Sequence, residues 1–543
     1  MGLAAALELS RYGLRSLLVE RHDSTTWHPK ARLLNTRTME IARRWGRSVH
    51  DELTSVNLPA GWTSQIIYTR TLAGEELGRM PTTGFSGTGR GVSPEVPLLS
   101  SQDVFEPIMR RGVEAAALAE LRFGHEAGRI DAAASGDGDR ILVDVTERAT
   151  GRMYQVEAEY LISADGGASS IRNQLEIELD GPQGIGHFVN VYFRADLDPG
   201  VAHRPAILYF VADPAAQGAF QPLDARGRWL CQIAYDGMPA SYEGYTPERC
   251  IAWIRTAVGD PACTPEILAV ASWTMNATVA QRLVEGRVIL VGDAAHQLPP
   301  TGGFGLNTGI QDVHNLAWKL ALVRANVAGR DLVETYDVER RPVARFNADR
   351  SLENARMVAQ ISAEATAAGA GGGSAREAVS ASRRYGNFLG MELGFHYDSA
   401  AVVSDGTDPP VVDDPVIDYA PSARPGHRAP HVWLEREGKR CSTLDLFGPG
   451  VALLTGSGGR PWLDAVAVAG NRFGIGISAY VIGLTGEFRD VDGDWANRYG
   501  INDDGAVLVR PDGHVAWRSA DSGNPDAAES LSQALGQLLA RTS

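Results

Sequence analysis

Cysteine is scarce: four in 543 residues, Cys231, Cys250, Cys263 and Cys441, with no C-x-x-C or metal-ligand spacing. That excludes a disulfide framework, a dithiol redox pair and a zinc module, and suits a reduced cytoplasmic setting. Long hydrophobic runs are missing too, since no apolar stretch approaches the roughly 18 residues that a membrane span requires. The apolar opening MGLAAALELSRYGLRSLLVE has no basic leader and is interrupted by Glu8, Arg11 and Arg15, so it reads as folded structure and not as a signal peptide. Basic charge is in deficit, 51 Lys+Arg against 66 Asp+Glu, for a formal net charge of -15. Neither nucleic acid nor an anionic membrane is expected as a partner, because each requires a basic face. With 44% hydrophobic and 22% charged residues, the chain reads as a soluble globular protein long enough for several domains.

Its most informative stretch is residues 287–319, RVILVGDAAHQLPPTGGFGLNTGIQDVHNLAWK. Val288, Ile289, Leu290 and Val291 form a short apolar run of the kind found in buried parallel strands, and Gly292 ends it where a strand's carboxyl end meets a ligand. Asp293 then stands at that edge, able to accept from sugar-like hydroxyls, while Ala294 and Ala295 keep bulk away. Pro299 and Pro300 stiffen the following loop, and Gly302, Gly303 and Gly305 allow close backbone approach to a flat or anionic ligand. Leu306, Ile310, Val313, Leu316, Ala317 and Leu320 recur at helical spacing, so a helix begins near Gly305 to Asn307 with its free amides turned toward the loop.

The order GDAAHxxPPxGGxGLNxGxxDxxNLxWKL resembles the flavin-contacting motif of class A FAD-dependent aromatic monooxygenases, the phenol and polyketide hydroxylases. The resemblance implies an α/β fold: a glutathione-reductase-like dinucleotide-binding FAD domain, an inserted antiparallel β-sheet substrate domain and a C-terminal thioredoxin-like domain. It implies that Asp293 binds the ribityl chain or a neighbouring phosphate, that Pro300, Gly302 and Gly305 line the flavin, and that Leu306 and Asn307 present backbone amides to its pyrimidine end. Pro299 and His296 fall near the flavin in the same motif. For His296, general-base work is weighed against simply satisfying a backbone carbonyl.

Other stretches fit the same family. Residues 2–12 form a helix, Gly13 stops it, and residues 14–20 form a strand ending in an acid, the second half of a dinucleotide fold. Gly2 fits the last glycine of G-x-G-x-x-G, and Glu20 fits the acid that binds a ribose. The strand and two glycines that precede Gly2 in the fingerprint are absent, so Met1 reads as an internal methionine and the chain as N-terminally truncated. Arg21, Lys30, Arg32 and Arg37 are the basic candidates for the FAD diphosphate. Gln102, opening a helix over residues 104–119, matches a flavin-contacting glutamine. A strand ending in Asp165-Gly166 with Ser169 and Arg172 beyond resembles the family's DG motif; Asp165 is a candidate ribose acceptor or orienter of Arg172, and Arg172 a phosphate partner. Residues 62–80 read as a hairpin, and 121–129 and 140–147 as two strands.

Residues 181–275 change texture to alternating strands, with Val189, Val191 and Phe193 on one face and Asn190, Tyr192 and Arg194 on the other. Tyr192, Tyr209, Phe220, Gln221, Trp229 and Tyr235 are the substrate-pocket candidates. The expected division is 1–60, 96–179 and 280–360 for FAD; 61–95 and 180–279 for substrate; 361–425 as a helical segment and linker; and 426–543 as the thioredoxin-like unit. In that unit Asn524 is expected to cap the final helix, with Pro525 at its first position.

The family reading implies reduction of bound FAD by NADPH or NADH, reaction with O2 to a flavin C4a-hydroperoxide, and hydroxylation of a small aromatic or polyketide substrate, with a homodimer as one assembly. The rival within flavoenzymes is a Baeyer–Villiger-type insertion or oxidative rearrangement. The rival from another class is a flavin-free scaffold, motivated by the missing first strand. No metal constellation is expected.

Overall fold

A computed structural model of the chain describes residues 1–87, 91–131, 140–367, 373–483, 486–521 and 526–541. Helix Gly2–Arg11 leads into strand Ser16–Glu20, which pairs in parallel with Ala119–Phe123. Strand Leu161–Ser163 pairs in parallel with Val288–Leu290. Among the described residues the two pairs belong to separate sheets, and Ser16–Glu20 and Leu161–Ser163 each keep one edge unpaired. Both strands line the same cleft. All five residues of Ser16–Glu20 are only half-buried, as a strand with a single neighbour must be, whereas Val288–Leu290 is buried throughout.

The strand expected over 121–129 is two strands broken at Gly124: Ala119–Phe123 joins the parallel pair, and His125–Asp131 turns away into an antiparallel meander with Ile141–Glu147 and Arg152–Ala158. Hydrophobic alternation continues across Gly124, so the pattern alone does not reveal the change of partner.

The second layer is a seven-stranded sheet ordered Glu266–Met275, Gly186–Arg194, Arg228–Tyr235, Gly218–Pro222, Leu208–Val211, Gln65–Thr69 and Glu76–Pro81. The last two strands are the hairpin expected over 62–80. Its rear face packs Val189, Val191, Phe193 and Cys231 against Cys250 and Ile254 of helix Pro247–Val258. Its other face looks into the cleft.

Helices Phe304–Arg324 and Asp331–Ala367 run through the main core, and the C-terminal unit docks on them through buried charge. Glu339 accepts from Arg510 at 2.6 and 2.8 Å and from Lys319 at 2.8 Å, all fully buried. Burial drives the Lys319 ammonium down to about 8 despite Glu339 beside it. The unit itself is a four-stranded sheet, Ile477–Val481, Val451–Thr455, Ala506–Val509 and Val515–Ser519, packed by helices Arg460–Phe473 and Ala527–Leu538. Asn524 and Pro525 lie outside the described residues; Asp526 caps the last helix, accepting from Glu529 N at 2.9 Å.

Candidate functional site

The turn Gly292–Ala294 follows the buried strand directly, and its Asp293 side chain is exposed into a cleft of about 2190 Å³. That is more than twice the upper end of a drug-sized pocket, roughly 300–1,000 Å³. Beyond the turn, Gly303 adopts φ 73° and opens helix Phe304–Arg324 with no side-chain cap. The first amides of a helix have no intrahelical acceptor. Gly305 and Leu306, which carry two of them, line the cleft together with Pro300, Gly302 and Gly303. An uncapped row of donors and an exposed carboxylate lining one cleft of that size fit a flat dinucleotide that accepts at one end and carries hydroxyls further along.

The turn and the helix are held together from behind. Asp312 accepts from Gly292 N at 3.2 Å, His296 Nε2 at 2.7 Å and Arg340 Nε at 2.9 Å. Burial opposes its charge, yet His296 and Arg340 keep its carboxyl below the usual range. His296 is fully buried inside this clamp and does not line the cleft, so the general-base role weighed for it is not supported; its work is to brace the turn. Pro299 is likewise buried off the cleft. The Asn307 side chain receives Asn35 N at 2.8 Å and donates to Leu33 O at 3.0 Å and Gly303 O at 2.6 Å, tying strand Leu33–Leu34 to the loop.

Gly2, Glu20, Arg21, Lys30, Gln102 and Asp165 also line the cleft. Gln102 receives Ala31 N at 3.2 Å and thereby holds the backbone beside Lys30. Asp165 accepts from Ser163 Oγ at 2.6 Å and from Ile171 N at 3.2 Å. Three basic expectations are corrected. Arg37 is buried, paired with Glu40 at 3.0 Å and donating to Asp512 O at 2.8 Å, away from the cleft. Arg172 is spent on Gly167 O and Ala294 O, both at 3.1 Å, and stitches the DG loop to the Gly292–Ala294 turn. Arg32 does line the cleft, but on its sheet side, donating to Pro222 O at 2.9 Å and Ile207 O at 3.1 Å; burial without a carboxylate partner lowers it to about 10.

Strand register decides the substrate side. Phe193 faces Trp229, Cys231 faces Phe220 and Phe220 faces Tyr209, which puts Tyr209, Phe220 and Trp229 on the rear face with Val191. Tyr192 packs with Leu223 and Leu230 off the cleft, and Tyr235 joins the rear cluster. Of the six pocket candidates Gln221 alone lines the cleft. Asn190, Gln232 and Trp273 line it as well, and the alternation through Asn190 was the signal for them; aromatic character pointed the wrong way.

Comparison with known proteins agrees with this geometry. The family model described as FAD binding domain matches residues 1–351, and that for the aromatic-ring hydroxylase C-terminal region matches 422–542. The chain is 34% identical to a 2,4-dichlorophenol 6-monooxygenase of Delftia acidovorans, over 95% of this chain and 93% of that one. It superimposes on the flavin-dependent monooxygenase PieE in complex with FAD and substrate, with a TM-score of 0.92 and 37% identity over 99% of this chain and 97% of that one. A ternary complex of aklavinone-11 hydroxylase with FAD and aklavinone matches with a TM-score of 0.84 and 32% identity, over the same shares.

Proposed function

The chain belongs to the FAD-dependent aromatic-ring hydroxylases, and we propose that its cleft holds FAD between the Gly292–Ala294 turn and strand Ser16–Glu20, with the aromatic substrate under the seven-stranded sheet. The observation that carries this division is that the uncapped helix start at Phe304 and the exposed Asp293 line one cleft, which is also lined by the seven-stranded sheet. When bound, FAD supplies the redox and oxygen-activating chemistry, with NADPH or NADH as electron donor and O2 as oxygen source.

This chain's residues bind and orient. The amides of Gly305 and Leu306 donate to the acceptor edge of the ring system, while Pro300 and Gly302 bring backbone against it. Asp293 accepts from the ribityl hydroxyls. Arg21 and Lys30 meet the diphosphate, with Gln102 fixing the backbone beside them, and Glu20 takes the adenosine ribose. Asp165 keeps the middle of the wall in place. The sheet excludes water from the reacting ring. The same reading places the enzyme in the cytoplasm, where NAD(P)H is held and four unpaired cysteines stay reduced.

Purified protein should carry flavin and oxidise NAD(P)H faster when a phenol such as 2,4-dichlorophenol is added, with a product one oxygen heavier. Absence of flavin, or oxidation that ignores every phenol and yields only hydrogen peroxide, would overturn the reading.

A further inference from the structure

We infer that the cleft selects rings bearing adjacent carbonyl and hydroxyl oxygens, hydroxyquinones or hydroxyaryl ketones, through a row of three amides, Asn190, Gln232 and Gln221. This rests on the hydroxylase reading and names the substrate class of the same site. The three residues sit on three neighbouring strands, with Asn190 directly opposite Gln232, and all line the cleft half-buried.

The orientation of the row follows from chemistry. Trp273 Nε1 donates to Asn190 Oδ1 at 2.8 Å. An indole N–H is a donor only, so the amide oxygen must face it and the Asn190 NH2 is left for the cleft. Gln221 Nε2 meets Gln232 Oε1 at 3.2 Å. Whichever amide of that pair donates, one carbonyl and one NH2 remain over. The row therefore offers donors from two amides and an acceptor from a third.

Around it the lining is mostly apolar, including Phe85, Ile207, Leu208, Ala271 and Met275, which suits a flat ring system. Arg32, with no carboxylate partner among the described residues, adds positive potential beside an electron-rich oxygen. A simple phenol brings one oxygen and leaves amide groups desolvated and unpaired, which a site built for hydrogen bonding penalises. A carboxylate would call for a free arginine fork, and both terminal nitrogens of Arg32 already donate to backbone carbonyls. A hydroxy-carbonyl edge sets two oxygens side by side, an acceptor for each of the two NH2 groups.

The test uses the FAD-loaded, oxidised enzyme without NAD(P)H, with binding read from perturbation of the visible flavin spectrum. The probes are 2-acetyl-1-naphthol and 2-isopropenyl-1-naphthol, matched in heavy-atom count and phenol but differing in the carbonyl oxygen. Wild type should bind the acetyl compound about tenfold more tightly. Asn190→Leu and Gln232→Met, close in volume, should each bring that preference to near unity by weakening the acetyl compound alone. Trp273→Phe frees the Asn190 amide to turn and should cost the acetyl compound about threefold. Equal binding of the two probes by wild type, or variants that weaken both equally, overturns the inference while leaving the hydroxylase reading intact if flavin is retained and phenols still stimulate NAD(P)H oxidation. Wild type without flavin overturns that reading, and this inference with it.

Discussion

The two ends of the cleft are built differently. At the Asp293 end, strand, turn and helix are locked from behind by Asp312, His296 and Arg340, each fully buried, with Asp312 accepting from both of the others. At the Glu20 end, strand Ser16–Glu20 has one neighbour among the described residues and five half-buried residues that line the cleft. One end is preorganised, so its geometry survives without a ligand. The other is shaped by few contacts, and a ligand there would contribute to its order. The two meet in helix Gly2–Arg11, where Glu8 accepts from Trp45 Nε1 at 2.6 Å and contacts His314 of the long helix at 3.0 Å.

The contrast is open to test. Asp312→Ala should cost about 3–5 kcal/mol in denaturant unfolding, because it strands the Arg340 guanidinium in the core; a loss below ~1 kcal/mol would mean that the clamp is not what holds the turn.

Glu8 ranks next. Burial works against its charge, but Arg11 and then His314 hold its pKa at about 2 against an ordinary 4.5. Its contribution is thus complete above pH 4.5 and lost as pH falls toward 2, on the order of 3 kcal/mol. Glu8→Gln should flatten the acid limb of stability between those pH values, and an unchanged limb would remove Glu8 from the account.

Matched glycine substitutions compare the two ends directly. A Cβ on Gly309 would meet Gly292 Cα at 3.0 Å and Met1 Sδ at 2.5 Å, and backbone yields little, so Gly309→Ala should lower stability by about 1–3 kcal/mol. Asp293→Ala should instead release flavin, with roughly tenfold weaker FAD retention and a melting temperature close to wild type; flavin content measured after gel filtration decides it. Smallest is Gly2→Ala, which tests the packing on strand Ser16–Glu20: its Cβ meets only the Leu18 side chain, at 2.9 Å for Cδ1, and the change should cost under about 1 kcal/mol. If Gly2→Ala proved as damaging as Gly309→Ala, the difference between the ends would vanish.

Local chemistry was legible in the linear chain. The run from Val288 to Val291, the small-residue turn, the Pro/Gly loop and the periodic helix after it each follow from short-range rules, and all appear in the fold. The overall architecture and the flavin-hydroxylase assignment were readable for the same reason, because a motif of that length constrains backbone and ligand together.

Pairings between distant residues were decided by tertiary structure. Arg37 looked like a phosphate ligand and is bound to Asp512 O from the C-terminal unit. His296 looked available and is enclosed by Asp312. Tyr209, Phe220 and Trp229 looked like a pocket and became core, because a strand exposes alternate residues and only its register with its neighbours says which alternation faces the ligand. The sequence by itself determined the strand, Pro/Gly loop and helix over residues 288–324 and the class of chemistry. Only the packed sheet decided that Asn190, Gln221 and Gln232, and not Tyr209, Phe220 and Trp229, line the cleft, since facing depends on neighbours far away along the chain.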